Sequence, residues 1–66
     1  MRIMLNGQDH AAPDGATVAA LLGQLGLADR KVAVEVNQEV VPRSRHGEHR
    51  LGAGDRVEII HAIGGG

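Results

Sequence analysis

The sequence has no cysteine, phenylalanine, tyrosine or tryptophan, and only one serine, one threonine and one lysine. Without cysteine there is no disulfide framework and no thiolate zinc site. Without aromatic rings, and with seven basic against eight acidic residues, nucleic-acid binding lacks both a stacking platform and an electrostatic footprint. Arg43, Arg45 and Arg50 form the one basic cluster, Glu48 interrupts it, and a solvated loop accounts for it. No stretch approaches the roughly 18 apolar residues of a membrane span. The opening MRIMLNGQDH lacks the apolar core of a signal peptide. A soluble, cytoplasmic protein is expected, with neither nucleic acid nor membrane among its partners.

The shortages extend to catalysis. Ser44 and Thr17 lie in no Gly-x-Ser-x-Gly setting. There is no G-x-x-x-x-G-K-[ST] loop to hold ATP. The carboxylates are scattered, and a solvated surface explains them. His46 and His49 make an H-x-x-H with Glu48 between them, at best half a metal site, since zinc takes four ligands of defined spacing. Surface histidines in a polar loop are the preferred reading, and no metal is expected. His10 and His61 would have to converge from opposite ends of the chain. The chain is expected to be no enzyme.

What is present is a strong pattern. In RIMLN, Ile3 and Leu5 face one way and Arg2, Met4 and Asn6 the other, as in a half-buried strand. Asn6-Gly7 signals a hairpin turn, so QDHAA is the returning strand, ending at Pro13. Thr17 is placed to cap a helix. Val18, Leu21, Leu22 and Leu25 follow the i, i+3, i+4, i+7 spacing of one apolar stripe. Gly26 fits the left-handed position that ends a helix, with Leu27 folding back onto the last turn. KVAVEVN alternates, NQE turns, and VVP is a short strand stopped by Pro42. RSRHGEHR reads as loop with one helical turn, followed by a short strand near Leu51. RVEIIHAI is the last strand, with Val57, Ile59 and finally His61 inward and Glu58, Ile60 and Ala62 outward.

The order is strand, strand, helix, strand, short strand, strand, within a single domain over residues 1–66. One helix covers one face of a sheet and leaves the other to solvent or a partner. The expected class is α+β, with the β-grasp (ubiquitin-like) order: a mixed sheet of four to five strands and one main helix packed on one face. On the open face Met4, Ile60 and Ala62 stand among polar neighbours as a candidate partner-docking surface.

The chain closes on HAIGGG. Glycine is the costliest residue to order, and a terminal run of it is expected to be mobile. A frayed end would explain three glycines. So would a carboxylate that must enter something narrow. A carboxylate is a poor electrophile until joined to AMP, and that step needs ATP and a metal ion supplied by another protein. Bare glycines let backbone thread a channel, and residues 63–66 extended span about 13 Å. A carrier of sulfur without cysteine would have to use the terminal carboxyl, as a thiocarboxylate.

MLNG, TVAALLGQLGL, VAVEVNQEVVPR and GDRVEIIHAIGGG together resemble the ThiS family, the sulfur carriers of bacterial thiamine biosynthesis, over essentially the whole chain. VNQEVVPR and the glycine tail are the most specific pieces. The resemblance implies that a ThiF-like adenylyltransferase activates Gly66 with ATP and magnesium. A sulfurtransferase or cysteine desulfurase then supplies sulfur, leaving a 1-thioglycine at Gly66, and a ThiG-like thiazole synthase takes the sulfur into the thiazole ring. Gly65 and Gly64 would thread the partner's active site, although the family tail is usually Gly-Gly and Gly64 falls outside it. The chain also departs from many relatives in lacking an aromatic after Val-Pro-Arg. The small subunit of molybdopterin synthase shares the fold and the Gly-Gly end, but is longer and carries prolines before its tail. A ubiquitin-like modifier or docking module is the reading from another class. An amide to a lysine would mark it, against a thiocarboxylate on a free chain.

Overall fold

The computed structural model describes residues 1–61. Strand β1 (Arg2–Leu5) turns at Asn6-Gly7 into β2 (Gln8–Ala11). Both turn residues have positive φ, 49° and 80°. These are the left-handed conformations that the two-residue hairpin demands and that Asn and Gly tolerate. Helix α1 (Val18–Gln24) follows, then β3 (Val32–Val36), a second tight turn at Asn37-Gln38 and β4 (Glu39–Val41). A 3₁₀ turn (Arg43–Arg45) and a loop lead to β5 (Arg56–His61). The sheet order is β2-β1-β5-β3-β4. The final strand therefore sits in the middle, parallel to β1 and antiparallel to β3.

The helix packs on one face, and the core lies between it and the sheet. Ile3, Val18, Leu21, Val34 and Val57 are almost wholly inaccessible, and Ala12, Leu22, Val36, Val41, Leu51 and Ile59 complete the cluster. Alternation on the strands and the helical stripe thus bury the residues that the spacing selects. Leu25 and Leu27 pack partly against the same core. Gly26 takes φ 73°, and Leu27 N–H donates to the Leu22 carbonyl at 2.8 Å, so the helix ends as the Gly-Leu pair implies.

Three expectations change. The loop after Pro42 is not merely solvated: His46 is buried, and its Nε2–H donates to the Val41 carbonyl at 3.0 Å. The reason lies at the helix start, where the first N–H groups have no partner within the helix. Val18 N–H donates to the His49 carbonyl and Ala19 N–H to the His46 carbonyl, at 2.9 and 2.8 Å. Thr17 Oγ1 accepts from Ala20 N–H at 3.1 Å. The loop is drawn in because it supplies acceptors. The short strand near Leu51 reduces to a lone bridge between Thr17 and Arg50, with Leu51 itself in the core. His61, on the inward register of β5, is exposed, because the core has thinned by the strand's end.

Candidate functional site

Strand β5 is the element that carries the chain toward its last residues, and its setting defines the site. Beside β1 its pairing stops at Leu5 opposite Val57, while beside β3 it continues to Val32 opposite His61. The second half of β5 would leave unpaired N–H groups on the β1 side. Asn6 meets this need: its Oδ1 accepts from Ile59 N–H at 2.8 Å, and its own N–H donates to the Val57 carbonyl at 2.9 Å. Across β5, Asn37 Oδ1 accepts from Arg56 N–H at 3.0 Å and Nδ2 donates to Asp55 at 3.2 Å. Two asparagines in left-handed turn positions thus clamp the strand from opposite sides. Sequence reasoning used both as turn residues only. Their second role depends on which strand lies alongside, and spacing does not carry that information.

The outer face of the sheet bears out the assignment of Met4 and Ile60 to solvent, at 38% and 49% exposure. It does not bring them together. Met4 lies opposite Arg56, four residues before Ile60 on the same strand, a separation of about 13 Å along β5. Met4 is instead among Arg56, Asp9 and the ion pair of Arg2 with Asp9 at 2.8 Å. Ile60 lies opposite Ala33. Val40, on the edge strand, is the most exposed large apolar residue among the described residues at 66%, and its position opposite Glu35 puts it on the same outer face. Its alternation with buried Val41 was a usable signal for this. Ala62, Gly64, Gly65 and Gly66 lie outside the described residues.

The described residues contain no cluster of three or more potential metal ligands. His10 donates through Nε2–H to Gln24 Oε1 at 3.1 Å, tying β2 to the end of α1, and does not approach His61. No buried side-chain nitrogen or oxygen is left without a partner among the described residues. No described helix is long and apolar enough to cross a membrane.

Comparison with known proteins agrees with this geometry. The model of the ThiS family matches residues 3–66. The chain is 35% identical to the sulfur carrier protein ThiS of Escherichia coli over 66 residues, covering all of both chains. It is 46% identical to a thiazole synthase of Paramagnetospirillum magneticum over its whole length, yet spans only 20% of that protein. The crystal structure of a thiamine biosynthesis protein, ThiS, from Geobacter metallireducens matches with a TM-score of 0.86 and 32% identity, each chain fully covered.

Proposed function

Because the chain belongs to the ThiS family, we propose that it is a sulfur carrier of thiamine biosynthesis, a protein co-substrate rather than a catalyst, working in the cytoplasm. The observation that carries this reading is the end-to-end match to a sulfur carrier in sequence and to a ThiS protein in structure, in a chain that closes on three glycines. In this mechanism the carboxylate of Gly66 attacks the α-phosphorus of ATP and pyrophosphate leaves. A persulfide carried by a sulfurtransferase or cysteine desulfurase then adds at the activated carbonyl, and AMP departs with the oxygen–phosphorus bond intact. A thiol of the donor protein cleaves the S–S bond of the resulting acyl disulfide, itself ending as a disulfide. The product is a thiocarboxylate. ATP and its magnesium belong to the adenylyltransferase; this chain supplies the carboxylate, the glycine backbone of Gly65 and Gly64 that fits a narrow channel, and a rigid strand to present them. A thiazole synthase is the sulfur acceptor in this reading. Its support is the thiazole synthase that contains a stretch 46% identical to this chain.

Intact mass after incubation with ATP, magnesium, a ThiF-like adenylyltransferase and a sulfur source tests it. The expected result is a gain equal to one oxygen-to-sulfur exchange, mapped to Gly66 and absent when Gly66 is deleted. An unchanged mass, with the same enzyme active on another carrier, would overturn the reading. An amide to a lysine would replace it with a conjugated modifier.

A further inference from the structure

One corner of the outer sheet face combines exposed apolar side chains with an unresolved electrostatic conflict. Glu35 and Glu58 are direct cross-strand partners, and Glu35 is also opposite Val40. One step further along, Ala33 is opposite Ile60. Like charges directly opposite each other on a sheet are destabilising. Among the described residues the ion pairs are Met1 with Asp14 and Arg2 with Asp9. Arg56, two residues before Glu58 on the same face, makes none. The two carboxylates are therefore left facing the same solvent beside Ile60, Ala33 and Val40. A sheet face built only for stability would place an opposite charge there.

We propose that this corner is the docking surface for the thiazole synthase, which sets an arginine or lysine between Glu35 and Glu58 while apolar side chains cover Ile60, Ala33 and Val40. The inference rests on the functional reading above and adds the recognition chemistry. Three observations select the corner and its occupant. Gly66 lies five residues beyond His61, a reach of at most about 18 Å, so a protein that takes Gly66 into its active site must stand close to the end of β5. Glu35 and Glu58 are cross-strand partners and form no ion pair among the described residues, and two adjacent carboxylates attract a cation on the approaching surface. A thiazole synthase holds a segment 46% identical to this chain within its own length, which ties this domain to that class of enzyme. Met4, about 13 Å back along β5 and beside the paired Arg2 and Asp9, lies outside the contact.

The test measures binding of the full chain to a thiazole synthase by calorimetry at two salt concentrations. It compares wild type with the double variant Glu35→Gln, Glu58→Gln. Wild type is expected to bind more weakly as salt rises. The double variant is expected to lose about tenfold or more in affinity and most of the salt dependence, while its melting temperature stays level or rises. That opposition separates docking from a structural role, which would lower both together. Equal affinity and equal salt response in the two proteins would overturn the proposal and leave the sulfur-carrier reading standing. Wild type that forms a thiocarboxylate yet does not bind the synthase would overturn the proposal and its partner. Wild type that never forms one would overturn the functional reading. The same face carries Arg2 and Arg56 at its other end, so a concentration-dependent dimer abolished by the double variant would assign the corner to a second copy and overturn the proposal too.

Discussion

Asn6 performs two tasks that separate substitutions can tell apart. Its backbone turns a hairpin at φ 49°, and its side chain takes the place of a strand by accepting from Ile59 N–H. Asn6→Gly keeps the turn, since glycine accepts positive φ freely, but leaves Ile59 N–H without its acceptor. A loss of about 1 kcal/mol is expected, with faster hydrogen exchange at the Ile59 amide. Asn6→Asp keeps both the acceptor and a favourable Asp-Gly turn, so exchange at Ile59 should stay near wild type. Equal protection in Asn6→Gly and wild type would show that the clamp contributes nothing. Asn37 holds the start of β5 in the same way through Arg56 N–H, but shares its side chain with Asp55. Turn chemistry for both residues was legible from the order Asn-Gly and Asn-Gln. The clamp was not, because it joins residues 53 positions apart.

Helix α1 has seven residues, too few to persist alone in water. Its existence depends on what it touches. One side buries Val18, Leu21 and Leu22, and the N-terminus takes acceptors from Thr17 and from the His46–His49 loop. Leu21 has no accessible surface, so Leu21→Ala is expected to cost about 2–5 kcal/mol. In a domain of this size each 1 kcal/mol moves the melting temperature by about 4–8 °C. Thermal unfolding followed by circular dichroism should therefore show a fall of at least about 8 °C; a smaller one would mean that the core closes over the gap. The loop is an element of the same structure. Its polar composition suggested solvent, yet polar groups were needed there because helix ends demand carbonyl partners. The edges are handled at this scale too: β4 is three residues long and followed at once by Pro42, which limits pairing with other chains.

At the scale of the molecule, a chain of this length buries only about 60% of its unfolded surface and has no disulfide to assist it. Contacts that join distant parts then matter more. The α-ammonium of Met1 donates to the Ala12 carbonyl at 2.6 Å and pairs with Asp14 at 2.9 Å. Its hydrogen bond and its charge together lower the Asp14 pKa. A carboxylate with a depressed folded pKa stabilises the fold above its unfolded pKa and loses that contribution as pH falls through the folded value. Asp14 is 93% exposed, so solvent screens the pair and the effect is small. Wild type is expected to melt slightly above Asp14→Asn near neutral pH, with the difference closing as pH drops through and below the ordinary aspartate range. A gap that persists in strong acid would mean that Asp14 acts through something other than its charge.

Local chemistry in the sequence determined the elements. Period-two alternation marked the strands, one apolar stripe marked the helix, and Asn-Gly, Thr17, Gly26 and Pro42 marked the boundaries. Each of these is decided by backbone geometry within a few residues. The element order pointed to the β-grasp fold, and the stretches from MLNG through VNQEVVPR to the closing glycines resembled the ThiS family. Tertiary structure alone decided that β5 runs through the middle of the sheet, that His46 is buried, and that Asn6 and Asn37 grip the strand. It also separated Met4 from Ile60 and set Glu35 against Glu58. All of these depend on register between segments far apart in the chain, and a one-residue slip in that register would turn every side chain to the opposite face.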